Sequence, residues 1–289
     1  MSKQPDVIAE RKMLLGLLGF NVEKLKPYQF VPSETTLGVL QILERCGFTH
    51  DETRRMSRRN FGLLYRSPED VKNVIGFLLM YGFGPGQIHR IGKRQPRILT
   101  SSLKRLRTVT KNLEDKGFDS TEIVQLASHE PKVLYLSAAR SNVIIDELTS
   151  RLGSNAAARH AIMNANWLLQ RPVREIRARF EKFTSWGLSQ SRAVKLVHGK
   201  PGILTDDLGR LDETFDILTS IDIAPETRAN AFRFSPALLR GRITHMRSVG
   251  AKVPGVMFLA NSYFQKRFSI TRDQAIALDP GPEAFKTVR

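Results

Sequence analysis

The sequence predicts an all-α helical-repeat solenoid of about seven 35-residue repeats, each holding two α-helices and a short turn. Three ladders carry that prediction. Pro96, Pro131, Pro201 and Pro236 share one 35-residue lattice, and each is followed three residues later by Leu99, Leu134, Leu204 or Leu239. Phe61–Leu64 and Asn166–Leu169 hold the same phase without the proline. Leu43, Leu78, Leu113, Leu148, Phe183 and Leu218 form the second ladder. Gly47, Gly82, Gly117 and Gly187, each preceding Phe48, Phe83, Phe118 or Leu188, form the third. A repeat thus reads as a helix bearing the ladder leucine, a glycine-ended turn, a second helix, then Pro-x-x-Leu.

Counted from the proline phase, residues 26–270 hold seven repeats, leaving 1–25 as an N-terminal cap and 271–289 as a C-terminal tail. The outer repeats match less well, as capping repeats should. Within a repeat, Ser67-Pro68-Glu69-Asp70 supplies an N-cap, a first-turn proline and two acids for the first helix. In the next repeat Leu103, Leu106, Val109 and Leu113 keep the three-four spacing of one buried face, and Lys116-Gly117 gives a cationic last turn and a left-handed stop. Asp119 and Ser120 cap the second helix, and Ile123, Leu126 and Ala127 form its inward stripe. Pro131 lacks a backbone N–H and disfavours helix in the residue before it, so it ends that helix. No alternating β-branched stretch bounded by hairpin turns is present.

Composition narrows the function. The single cysteine, Cys46, rules out an internal disulfide and suits a reducing compartment. No apolar run approaches membrane-spanning length, and residues 1–30, with Asp6, Glu10 and Glu23, lack the acid-poor character of an organelle transit peptide. The histidines are scattered without a His-Glu-x-x-His pair, so neither a metal nor another cofactor is expected, and no catalytic residue is assigned. Tyr81-Gly82-Phe83-Gly84-Pro85-Gly86 superficially resembles a phosphate loop, but no Lys-Ser/Thr follows and Gly82 belongs to the glycine ladder.

Forty-five basic against 28 acidic side chains leave a net charge of +17, an excess that answers to a polyanionic partner. The charges also keep the lattice. Arg97 and Lys132 directly follow Pro96 and Pro131, Arg66 and Arg171 come five residues after the phase, and Arg240 directly follows Leu239. Arg105, Arg140 and Arg210 come nine after it; Lys72, Arg107, Arg177 and Arg247 come eleven after. Stacked repeats turn such positions into rows that can track a phosphate backbone. The nine-after and eleven-after rows flank opposite sides of the buried stripe, so the rows nearest the Pro-x-x-Leu turn are favoured. No helix pairs a basic face with tryptophan and phenylalanine as a membrane-surface helix would.

The Gly-Phe pairs after leucine-bearing helices (Leu78…Gly82-Phe83, Leu113…Gly117-Phe118), the isoleucines at Ile88 and Ile123, and the Pro-x-x-Leu ladder together resemble the mitochondrial transcription termination factor (mTERF) family over residues 40–250. The resemblance implies repeats of two α-helices and a 3₁₀ turn, wound into a left-handed superhelix with a basic concave groove. It implies a monomeric, non-catalytic protein that binds double-stranded organelle DNA and terminates or pauses transcription. The expected compartment is the mitochondrion, with the chloroplast as the alternative. It also implies that Arg66, Arg97, Lys132, Arg171 and Arg240 contact nucleic acid, with Arg105, Arg140 and Arg210 behind them; Arg107 and Arg177 are candidates from the lattice spacing alone. The sequence departs from the family pattern at Phe61, Asn166 and Leu152, where Gly153 is one place late, which questions the local turn geometry.

Two alternatives remain beside duplex DNA: RNA, in processing or ribosome assembly, and a protein-binding adaptor, because solenoids present long surfaces. The pentatricopeptide repeat shares the period and reads single-stranded RNA, but no polar reading pair recurs here. Tyr65, Tyr135 and Trp167 beside the turns could stack on a flipped base, yet packing between repeats is the better account of them.

Overall fold

The computed structural model describes residues 12–24, 33–253, 258 and 260–287; the predicted start of the first repeat at residue 26 lies outside them. The chain divides into two compact halves, residues 1–142 and 143–289. Every regular element among the described residues is helical. Complete pairs of first and second helices occupy Ser33–Arg45 and His50–Arg59, Pro68–Tyr81 and Pro85–Arg94, and Leu103–Asp115 and Ser120–His129. Two more occupy Ala138–Leu152 and Asn155–Asn164, then Val173–Ser185 and Gln190–Gly199.

The leucine and glycine ladders have one cause. In each of Gly47, Gly82, Gly117 and Gly187 the backbone is left-handed, with φ between 73° and 111°. Its N–H bonds back three residues, and the next N–H bonds back five, to the ladder carbonyl: Phe48 to Leu43, Phe83 to Leu78, Phe118 to Leu113 and Leu188 to Phe183. This is the Schellman closure, in which the residue after the glycine also packs on the residue whose carbonyl it takes. All eight side chains are buried. The lattice continues at Asp222, which adopts φ 55° without being glycine, while the Ile223 N–H takes the Leu218 carbonyl. Aspartate tolerates this region better than most residues. At Leu152 the departure is real. Ala138–Leu152 runs to 15 residues, Gly153 (φ 82°) bonds back four to Thr149, and Ser154 at once caps the next helix.

The 3₁₀ turns fall on the lattice at Phe61–Tyr65, Pro96–Thr100, Pro131–Tyr135, Asn166–Gln170 and Pro201–Leu204. The residue before each has nearly one conformation: φ −144° and ψ 83° at Asn60, −141° and 77° at Gln95, −142° and 65° at Ala165, −148° and 83° at Lys200. Phe61 and Asn166 therefore build the same turn without proline, and the doubt over their geometry is resolved. Proline contributes here by restricting the unfolded chain, whereas the turn is held by Leu64, Leu99, Leu134, Leu169 and Leu204, all at most 1% exposed.

Arginines stitch the second helices together. Arg59 donates through both terminal nitrogens to the Lys93 and Arg94 carbonyls (2.9 and 2.8 Å), and Arg94, 35 residues on, donates to the His129 carbonyl at 2.7 Å. Each guanidinium satisfies carbonyls at a helix C-terminus, where cations are favoured. Glu52 accepts from the Thr49 N–H, His89 and Lys93, and these partners, Lys93 first, hold its carboxyl down at about 2.

Beyond Ser220 the structure departs from seven equal repeats. Pro225–Arg233 is 3₁₀ where a second α-helix is expected, and its Phe232 carbonyl accepts from Lys200 (2.8 Å) and Arg210 (2.8 Å). Pro236 does not open a turn: it is the first residue of an α-helix, Pro236–Ser248, capped by the Ser235 hydroxyl. Ser235-Pro236 uses the chemistry of Ser67-Pro68, so the fourth lattice proline starts a first helix seven residues early. That helix ends in its own Schellman closure, Gly250 (φ 66°) with the Ala251 N–H on the Met246 carbonyl. Residues 271–287, the expected tail, carry two short helices. Arg272–Ala277 packs so closely on Gly241 that a Cβ there would lie 1.6 Å from the Ala275 oxygen.

This shift corrects the assignment of Arg240 as a nucleic-acid contact. It lies inside the helix, only 6% exposed, with its guanidinium bound to Asp279 (2.6 and 2.9 Å) and Glu213 (2.9 Å). A buried cation with two carboxylates is a structural group. Arg240→Ala is expected to lower unfolding free energy by roughly 3 kcal/mol or more in urea titration, because it strands the Asp279 carboxylate. Asn166→Pro should stabilise by about 0.4–1 kcal/mol, since the backbone already has the geometry of the proline turns. Asp222→Ala should cost about 1 kcal/mol while Asp222→Gly costs nothing, both read by thermal melting.

Candidate nucleic-acid interface

The turns place basic side chains reproducibly. Arg97 and Lys132 follow the buried prolines of their turns and are exposed. Arg66 and Arg171 close their 3₁₀ turns with near-identical backbone, φ −70° and ψ 142° against −72° and 146°. Each reaches an acid four residues on, Asp70 or Glu175, at 3.5 Å. Such long, partly exposed pairs contribute little to stability. Arg97 and Lys132 thus share one place, directly after the turn's proline, and Arg66 and Arg171 share another, at the turn's end.

The nine-after arginines divide differently. Arg105 donates to the Tyr135 carbonyl at 2.7 Å with its guanidinium 5.3 Å from the Tyr135 ring centroid. Burial pushes that phenol up to about 12. Arg210 donates to the carbonyls of Phe232 and Phe234. Both therefore tie a first helix to the 3₁₀ segment that follows it, while Arg140 is exposed on the first turn of its helix. The eleven-after row faces neighbouring first helices instead. Arg177 bonds Glu147 at 2.8 Å, and Arg107 lines a groove between Pro68–Tyr81 and Leu103–Asp115. Burial works against the Glu147 carboxylate, but hydrogen bonds from Arg177 and Arg151 win and lower its pKa.

The aromatic residues at the turns are held by the fold, although Trp167 stays 45% exposed. The Trp167 indole N–H donates to Thr205 Oγ1 at 2.6 Å, and Tyr65 packs edge-on against Phe61 at 5.2 Å.

A further row was missed in the sequence. Arg55, Arg90 and Lys195 are exposed on second helices at one phase of the lattice, with Gln125 and His160 at the intervening places. Arg90 and Arg94 line a groove of about 400 Å³ between Pro85–Arg94 and Ser120–His129. The signal was present in the sequence as the 35-residue spacing of Arg55 with Arg90 and of Arg59 with Arg94.

Among the described residues no cluster of histidine, cysteine, aspartate and glutamate could hold a metal ion, and no helix is long and apolar enough to cross a membrane. No curated protein matches the chain. Residues 75–208 match the family model described as mTERF, whose members are organellar nucleic-acid-binding repeat proteins, generally without enzymatic activity. The matched segment contains the Schellman-closed first helices Leu103–Asp115 and Val173–Ser185 and the 3₁₀ turns that carry Arg97, Lys132 and Arg171, and over it the chain is similar to the mTERF family.

Proposed function

We propose that the chain binds double-stranded DNA of an organelle, the mitochondrion by preference, and regulates transcription by obstructing the polymerase. The observation that carries this reading is the recurrence of basic residues on one turn geometry, exposed at Arg97 and Lys132 and half-buried at Arg66 and Arg171, in a chain of net charge +17. Repeated cations on a regular lattice neutralise successive phosphates and release counterions, which supplies affinity and register without base readout. Arg140 and the second-helix residues Arg55, Arg90 and Lys195 extend the basic surface. Arg105, Arg210 and Arg177 contribute charge, although the fold already engages part of their donors. The protein acts as a monomer and needs no cofactor in this reading.

Fluorescence-anisotropy titration against duplex DNA, single-stranded DNA and single-stranded RNA at several salt concentrations tests the proposal. Duplex preference with a log–log salt slope of about −5 or steeper is expected. Preference for single-stranded RNA would move the function to RNA processing or ribosome assembly. In the Arg97→Ala/Lys132→Ala double variant the slope should shallow by about 2 with unchanged thermal stability, and Arg171→Ala should weaken binding in the same way. An unchanged slope in the double variant would remove these turns from the interface.

A further inference from the structure

The groove between Pro68–Tyr81 and Leu103–Asp115 differs in chemistry from its counterparts elsewhere in the array. It encloses about 530 Å³ and is walled by Phe77, Met80, Tyr81 and Leu103, with Gly76 leaving its floor open: a Cβ there would meet no atom within 4 Å. Met80 is 91% exposed, and the adjoining Leu79 is 47% exposed. The charged residues lining the groove are Lys72 and Arg107, one on each helix. Of the nearby acids, Glu114 accepts the hydroxyl of the wall residue Tyr81 at 2.8 Å, Asp115 holds Lys111 at 2.7 Å, and Glu69 makes only a long, exposed pair with Lys72 at 3.8 Å.

The other copies of this groove act as internal controls. One repeat on, Asn112 occupies the place of Phe77 and bonds Ser141 and Asn142. Two repeats on, Glu147, Ser150 and Arg151 stand where Phe77, Met80 and Tyr81 stand, and Glu147 is bound by Arg151 and Arg177. That groove keeps apolar walls in Phe180, Phe183, Leu188 and Ala193, but packing of the first helices does not require apolar residues at the places of Phe77 and Met80. The fold does not explain a nearly fully exposed methionine beside an open glycine floor, and methionine is the adaptable residue of binding surfaces.

We propose that this groove docks an acidic amphipathic helix of a partner protein, with its leucines against Met80 and Phe77 and its carboxylates toward Lys72 and Arg107. Charge selects that occupant. A second copy of this chain would bring net positive charge to basic lips, and nucleic acid would place phosphates against an apolar wall. The surface is separate from the turn-borne basic row, so the chain can hold nucleic acid and a protein partner through different residues.

The test uses the full chain and a fluorescein-labelled 18-residue synthetic helix with leucines at i, i+3, i+4 and i+7 spacing and glutamates elsewhere, beside a control with lysines for the glutamates. The glutamate probe should bind and the lysine probe should not. Met80→Asp and Gly76→Leu should each weaken the probe about tenfold, the first by charge repulsion and lost apolar contact, the second by filling the floor. Gly76→Leu also improves helix propensity, so lost binding in that variant does not report unfolding. Duplex DNA affinity should stay constant in both variants. Failure of the glutamate probe to bind, equal binding of the lysine probe, or unchanged binding in both variants would overturn the proposal. Displacement of the probe by duplex DNA would assign the groove to nucleic acid instead, and loss of self-association in Met80→Asp would assign it to a second copy of the chain.

Discussion

The regular part of the array depends on how each first helix is stopped. A left-handed residue followed by a buried apolar one returns two N–H groups to the last helical turn and folds the second helix back against the ladder leucine. The cap satisfies carbonyls that would otherwise be orphaned, and its hydrophobic contact is part of the core. Five residues separate the two partners of the longer bond, which is why the leucine and the Gly-Phe ladders keep a constant offset. Once the angle between first and second helix is set, the second helix delivers the chain to the next 3₁₀ turn in the same conformation, with or without proline. Asp222 shows that the backbone conformation, rather than glycine itself, is what each repeat requires.

Basic residues serve two purposes, and their partners separate them. Arg59 and Arg94 donate to backbone carbonyls of the following second helix, and Arg105 and Arg210 to those of the 3₁₀ segment that follows their first helix, so they join neighbouring elements where a solenoid has no central core. Arg240 does comparable work with carboxylates near the C-terminus. Arg97 and Lys132 stay at the surface of the turns, and Arg66 and Arg171 keep only long pairs with acids of their own first turn. The net charge therefore overstates what is offered to a polyanion, since part of it closes the fold.

Most of the fold was legible because local rules and the period agreed. Ser67, Ser102 and Asp207 cap first helices, the capping boxes at Thr49 and Asp119 start second helices, and the glycines stop first helices where the ladders place them. The reading failed at Pro236 because a proline on the lattice has two meanings. After Gln95, Glu130 or Lys200 it begins a 3₁₀ turn, whereas after Ser235, whose hydroxyl takes the Leu238 N–H, it begins an α-helix. The residue before the proline held that information. The exposed row Arg55, Arg90 and Lys195 also keeps the period, on the second helices rather than at the proline turns.

The sequence by itself determined the helical class, the 35-residue period, the stops of the first helices and the placing of basic residues near the turns, because each follows from interactions within a few residues along the chain. Only the tertiary structure decided which cations remain available. Arg105 lies 30 residues from the Tyr135 carbonyl it holds, and Arg240 lies 39 from Asp279. Whether a guanidinium faces water, a helix end or a buried carboxylate depends on what the next repeat brings beside it, and spacing along the chain does not encode that contact.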